Sequence, residues 1–306
     1  MKTDFLSLAD HSREDIEAIL ADAHRLKAEL KSGAPERPLL GQTLAMIFEK
    51  PSLRTRVTFE TGIKQLGGAS VYLAPEDIRL GARETVADIA RNLSRWVDMI
   101  VARTFSHRDL CELAEHATVP VINGLSDLLH PCQVLADCQT LLERKGRLAG
   151  LTVAFVGDGN NVVNSWIEAA AALDIHFRLA CPPGYEPDRE VLARGRAVAR
   201  SQIEILHDPR GAVAGADAVY TDVWTSMGQE AETQARRVAF RGYQLNEQLL
   251  AAAAPDALVM HCLPAHRGEE ISAEVLDGPQ SVVFDQAENR LHAQKALMVW
   301  LARRSA

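Results

Sequence analysis

Ser52, Arg54 and Arg56, in the stretch SLRTR, set a hydroxyl and two guanidinium groups close behind the apolar run LAMIF at 44–48 and Glu49, Lys50 and Pro51. Ser52 suits a helix N-cap, Val57, Phe59, Ile63 and Leu66 give the residues after it a mostly apolar helical face, and Gly67 and Gly68 stop the helix. Unpaired N–H groups and the positive dipole end make such a first turn an anion site. The two guanidinium forks direct that site toward phosphate or carboxylate. A solvated basic turn paired with nearby acids is the alternative reading of the same residues.

A second constellation is HPCQ, His130 to Gln133, at the start of a helical pattern from Pro131 to Lys145. His and Gln side chains there can donate to a developing oxyanion, although a capping or packed histidine would look the same. Arg103 ends the apolar run DMIVART at 98–104, at the edge where parallel sheets place their ligand crevice. Further on, LTVAFVGDGNNVV begins like a dinucleotide fingerprint, but Val162 replaces its third glycine, and HFRLAC ends at Cys181 and Pro182 without the acid that would hold a ribose. A nicotinamide-linked oxidoreductase therefore fits poorly. Asn160 and Asn161 stand instead at a helix entrance, where one can cap the helix and the other can bind a zwitterion. Two later strand ends carry Asp222, Ser226 and Met227 in DVWTSMG and His261, Cys262, His266 and Arg267 in MHCLPAHRG. An acid there can bind an ammonium group, and a cysteine can act as nucleophile, base or weak donor, or be a small buried apolar residue.

Runs of strand length must position these groups: 44–48, 98–104, 119–123, 151–157, 176–181, 216–223, 257–263 and 281–286, alternating with longer helical patterns. That alternation predicts an α/β fold of two domains, each a parallel sheet flanked by helices. The expected division is 1–146 and 147–286, with a hinge at Gly146 to Gly150 and a terminal helix, 287–306, returning to the first domain. At 306 residues two cores are the prior expectation. A net charge of −8 argues against nonspecific nucleic-acid binding, so positive charge for an anion must be local. The five cysteines show no CxxC pair or clustered zinc spacing, which predicts no disulfide scaffold and no structural metal. The amino terminus lacks an apolar signal core and no run is long enough for a membrane helix, so a cytoplasmic setting is expected.

Taken together, SLRTR with VTFE, HPCQ, GDGNN, DVWTSMG, HCLP and the late ENR resemble, in order and spacing, the aspartate and ornithine carbamoyltransferases. DVWTSMG with HCLP resembles the ornithine branch. The resemblance covers essentially the whole chain and implies a carbamoyl-phosphate domain followed by an ornithine domain, with no cofactor. It implies carbamoyl-phosphate contacts at Ser52, Leu53, Arg54, Thr55, Arg103, His130, Gln133, Cys262, Leu263 and Arg290. Of these, Thr55, Arg103, His130 and Cys262 would act in catalysis. Ornithine contacts would be Asn161, Asp222, Ser226 and Met227. It further implies a homo-oligomer, a trimer or an assembly of trimers, in which Arg83 of a neighbouring copy reaches the site. Two departures stand out: many members have Thr in place of Leu53 and Gln in place of Arg79. Relatives acting on putrescine or N-acylated ornithine share the phosphate motifs, and TSMG favours free ornithine. A non-catalytic anion-binding subunit would keep SLRTR but would need neither DVWTSMG nor HCLP.

Overall fold

The computed structural model describes residues 2–33, 35–78, 80–81, 83–225 and 230–305. They form two compact units, Met1–Gln139 with Glu288–Ala306, and Thr140–Ala287. The division falls inside two helices, Pro131–Lys145 and Val283–Ser305. Among the described residues no helix is long and apolar enough to cross a membrane.

The first unit holds strands β1 (Thr43–Phe48), β2 (Ala69–Leu73), β3 (Met99–Arg103) and β4 (Val121–Leu125), all parallel, in the order β2-β1-β3-β4. The inner strands β1 and β3 are almost wholly buried, which is why they read as unbroken apolar runs. β2 lies at an edge and stays half exposed, so ASVYL carried too weak a pattern to be expected as a strand. The opposite edge, β4, is covered by the amino-terminal segment: Phe5 N–H donates to the Val121 carbonyl and Asn123 N–H to the Phe5 carbonyl, both at 2.8 Å.

The terminal helix corrects one expectation. SVVFDQ, expected as a strand, makes one bridge at Ser281 and then opens the helix Val283–Ser305. A short apolar run has no period of its own, and here the buried series Val283, Gln286, Arg290, Ala293 and Leu297 carries it at helical spacing. The helix packs against Leu53–Gln65 where Gly62 leaves room, since a Cβ there would lie 3.2 Å from both Lys295 Cγ and Met298 Cε. Lys27 Nζ donates to Asn289 Oδ1 at 2.7 Å in the interior, and Arg303 meets Asp22 at 2.7 Å on the surface.

His292, buried on this helix, has its pKa pushed down to about 4 by burial, with Lys27 and Lys295 acting in the same direction. Its unfolded value is near 6.5, so the unfolded chain binds a proton that the folded chain refuses between those values. Its contribution to stability is therefore present above 6.5 and lost as pH falls toward about 4. We expect a lower urea midpoint at pH 5 than at pH 7.5, and a smaller difference in His292→Asn. A difference unchanged by that substitution would assign the acid sensitivity elsewhere.

The second unit holds β5 (Thr152–Val156), β6 (His176–Ala180), β7 (Ile203–Leu206), β8 (Ala218–Thr221) and β9 (Leu258–His261), again all parallel, in the order β7-β6-β5-β8-β9. Its edge strand β7 is half exposed and, like β2, was not expected from the sequence. Trp166 of the helix Asn161–Leu173 stacks on Phe177 and meets Tyr220 edge-on, each with ring centroids 6.1 Å apart. In each sheet the strand order reverses beside one strand pair, β1/β3 in the first unit and β5/β8 in the second. Crevices at the carboxyl ends of such pairs are where open parallel sheets bind ligands.

Candidate functional site

At the first reversal, Phe48 of β1 lies opposite Arg103 of β3. Glu49 N–H donates to the Arg103 carbonyl at 2.9 Å, and the Glu49 carboxylate accepts the Phe105 N–H at 2.8 Å. Burial holds that carboxyl above its ordinary pKa. Ser52 has extended backbone, and its Oγ accepts the Thr55 N–H at 3.3 Å, which starts the helix Leu53–Gln65 at this edge. The first N–H groups of a helix have no acceptor within it, so they point outward as donors. The Leu53 side chain is 74% exposed, so this position serves the helix start through its main chain. A register shift aligns Ala102 with Asn123 but Arg103 with Leu125, re-aiming Arg103 at the end of β3.

Arg290, fully buried on the terminal helix, donates to Thr55 Oγ1 at 2.8 Å and to Gln133 Oε1. Gln133 Nε2 in turn donates to Asp137 Oδ1 at 2.8 Å. His130 is buried with its pKa held well below the usual histidine value, first by burial and then by the charges of Arg290, Arg103 and Arg54. The charges of three guanidinium groups thus act with burial to keep this imidazole unprotonated. Such a place takes an anion and gives its oxygen fixed N–H donors. Cys132 is a structural thiol by contrast: it donates to the Asn123 carbonyl at 3.2 Å, and burial pushes its pKa to about 12.

At the second reversal, Asn160 is the helix cap, its Oδ1 accepting the N–H groups of Val162 and Val163 at 3.0 and 3.2 Å. Its Nδ2 donates to Asp222 Oδ2 at 2.8 Å, just beyond the end of β8. Asp222 Oδ1 accepts the Cys262 Sγ–H at 2.9 Å and the Val223 N–H at 2.8 Å. A carboxylate has about four lone-pair sites, so Asp222 keeps acceptor capacity for a cationic ligand. Asn161 follows as the first helical residue.

Gly159 explains the resemblance to a nucleotide loop. A Cβ there would lie 2.4 Å from Pro187 N and 2.6 Å from the Tyr185 carbonyl oxygen. The glycine admits the close approach of the chain's own segment 185–187. Asp158, beside it, pairs with Arg236 Nη1 at 2.9 Å, and burial still raises its pKa to about 6.

Other sequence candidates lie elsewhere. Arg56 is exposed, stacked 3.6 Å over the Tyr72 ring and 3.7 Å from Glu60, and Val57 on the same helix is half exposed instead of buried. Arg267 pairs with Asp277 on the surface at 2.7 and 3.1 Å. Arg83 is exposed. Ser226, Met227 and Arg79 lie outside the described residues. The sequence reading missed Asp137, although its spacing of four residues from Gln133 on one helix was a readable signal. It also missed Glu270, fully buried against His261 Nε2 at 3.1 Å, a pairing across a loop that no local period reveals. Asp222, His261 and Cys262 bring carboxylate, imidazole and thiol atoms within 4.8 Å, but Cys262 and both ring nitrogens of His261 are already committed to hydrogen bonds.

Comparison with known proteins gives a consistent picture. Residues 3–143 match the family model described as "Aspartate/ornithine carbamoyltransferase, carbamoyl-P binding domain", and residues 149–301 match the one for its "Asp/Orn binding domain". An ornithine carbamoyltransferase of Syntrophus aciditrophicus is 56% identical over 97% of this chain and 99% of its own length. One from Pyrococcus furiosus, named as anabolic, is 53% identical over 96% of this chain and 95% of its own length. A solved structure of the ornithine carbamoyltransferase from Pyrococcus furiosus superposes with a TM-score of 0.94 at 53% identity, covering 97% of this chain and 96% of that one.

Proposed function

Because the chain belongs to the aspartate/ornithine carbamoyltransferase family, we infer that it transfers the carbamoyl group of carbamoyl phosphate to the δ-amine of L-ornithine, giving L-citrulline and phosphate. The observation that carries this reading is the buried Arg290, which joins Thr55, at the helix start after β1, to Gln133, at the start of the helix beside His130.

The phosphate rests on the Ser52 helix start, through the main chain of Leu53 and the guanidinium of Arg54. Thr55, Arg103 and His130 face the carbonyl oxygen, where donors already fixed in place are worth most as charge develops. Gln133 stays oriented by Asp137 and Arg290. At Leu263 the N–H is already bonded to His261 Nδ1 at 2.8 Å, so the main chain of Cys262 and Leu263 offers carbonyl oxygens to the carbamoyl –NH2. Asp222 binds the ornithine α-ammonium, with Asn161, Ser226 and Met227 as the remaining contacts. The δ-amine, which titrates near ~10 as an alkyl ammonium, sheds a proton before attack. It then adds to the carbonyl carbon, and the tetrahedral intermediate collapses as the C–O bond to phosphate breaks, the departing phosphate taking the remaining surplus proton of the amine. Cys262, hydrogen-bonded to Asp222, steers that amine.

The same reading places the enzyme in the cytoplasm as a trimer or an assembly of trimers, with Arg83 of one copy contributing to the site of the next. Light scattering gives the mass, and citrulline recovered on mixing inactive Arg83→Ala and Arg54→Ala proteins would support the shared site. The deciding assay measures carbamoylation of ornithine, acetylornithine, succinylornithine and putrescine. Citrulline from ornithine is expected; robust product from another amine with none from ornithine would move the assignment to a sister enzyme. Within the site, Arg54→Ala is expected to abolish phosphate binding measured by calorimetry, while Arg56→Ala, exposed and stacked on Tyr72, leaves it within about twofold. Equal losses in both would place Arg56 in the anion site after all.

A further inference from the structure

Glu270 has no side-chain exposure to solvent, and among the described residues its side chain is paired with His261 and His266, neither of which is assigned above to a substrate. Its Oε1 lies 3.1 Å from His261 Nε2 and accepts the His266 N–H at 2.6 Å. His261, buried at the end of β9, uses its other ring nitrogen, Nδ1, to accept the Leu263 N–H at 2.8 Å. These partners fix the tautomer. A main-chain N–H can only donate, so Nδ1 is bare, and the proton sits on Nε2, facing the carboxylate. Leu263 takes φ of +59°, a left-handed conformation unfavourable for a branched side chain, and the bond to Nδ1 holds it there. The His261 N–H is fixed by Gln286 Oε1 at 2.9 Å, so Cys262 stands between two anchored residues with its thiol on Asp222.

We propose that Glu270 and His261 are positioning residues for carbamoyl transfer: the buried carboxylate sets the imidazole, the imidazole sets the Leu263 main chain, and the Cys262 and Leu263 carbonyls are thereby aimed. The proposal rests on the carbamoyl-transfer reading. Neither side chain touches substrate, so the relay acts on the rate through geometry, and a displacement of about 1 Å at such a site costs on the order of a hundredfold.

The test compares His261→Asn, whose Oδ1 stands close to the position of Nδ1, with His261→Gln, whose amide reaches only toward Nε2. The expected result is kcat within about threefold of the unmodified chain for His261→Asn, and a loss of about a hundredfold for His261→Gln, with both KM values changing less than kcat. Hydrogen exchange at the Leu263 amide is expected to stay slow in the first and become fast in the second. Equal kcat in the two variants overturns the proposal. So does a wild-type His261 whose ¹⁵N spectrum places the proton on Nδ1. If neither His261 variant melts cooperatively, the comparison moves to Glu270→Gln, which keeps an acceptor, against Glu270→Met, which fills the volume without one. A loss confined to the Met variant supports the relay, and equal kcat overturns it. An unmodified chain that makes no citrulline but shows the Nε2–H tautomer sinks the carbamoyl-transfer reading and leaves the hydrogen-bonded geometry standing.

Discussion

Replacing Arg290 by Met is expected to lower kcat/KM for carbamoyl phosphate by about two to three orders of magnitude. The guanidinium is buried and charged, and it bridges Thr55 Oγ1 and Gln133 Oε1 from the terminal helix. Truncating one member of a buried charged network costs about 2–5 kcal/mol, and each 1.36 kcal/mol is a factor of ten. Met preserves the apolar volume, so the loss falls on charge and hydrogen bonding. His130 should remain neutral in the variant, because burial is the largest cause of its lowered pKa and Arg103 and Arg54 remain. The defect should therefore appear in carbamoyl-phosphate binding and rate without a new pH dependence from His130. The KM for ornithine, bound by residues of the other unit, should hardly move. Arg290→Lys should recover only part of the loss, since an ammonium on a flexible stem cannot bridge Thr55 and Gln133 as a planar fork does. Because Gln133 and Thr55 lose a donor, the melting temperature should also drop. A variant within tenfold of the unmodified kcat/KM would show that Arg290 serves only to hold the terminal helix.

Arg290 also shows what a sequence carries and what it withholds. SLRTR and HPCQ announce themselves because each needs consecutive residues at the start of one helix, and a helix start is a local event. The fold class was legible for the same reason, in the buried apolar runs of β1, β3, β5 and β8. The ENR triplet could be assigned by resemblance, but nothing in its own pattern says that Arg290 reaches Thr55 more than two hundred positions away. The edge strands β2 and β7 escaped notice because exposure on one side erases the apolar run that marks an inner strand. SVVFDQ misled in the opposite direction, because its apolar residues serve a helix whose polar positions, Gln286 and Arg290, are themselves buried. Arg56 shared a motif with Arg54, but two residues along a helix is a turn of about 200°. The pair cannot face one ligand together, and Arg56 went to Tyr72 instead. At Gly159 the sequence shows only a glycine turn whose third glycine is replaced by Val162; the main chain of 185–187 lying against it is visible in the structure alone.

Asp222→Asn is expected to raise the KM for ornithine by about tenfold to a hundredfold while leaving carbamoyl-phosphate binding unchanged. The carboxylate is nearly buried and already accepts from Asn160 Nδ2, Cys262 Sγ and Val223 N–H. An amide at this place turns one acceptor oxygen into a donor, so at least one of those three bonds becomes donor against donor, and the charge proposed to attract the α-ammonium disappears. Hydrogen bonds to charged groups contribute about 1.5–3 kcal/mol, which sets the expected range. The α-ammonium undergoes no chemistry, so its contact is the same in the ground and transition states, and its loss should fall on KM more than on kcat. Putrescine makes this sharper, because it offers a reacting amine without the α-ammonium and carboxylate of an amino acid. If Asp222 holds the α-ammonium, the substitution should narrow the preference for ornithine over putrescine. If kcat falls instead with KM unmoved, Asp222 lies beside the reacting amine, and its hydrogen bond to Cys262 would then belong to the chemical step.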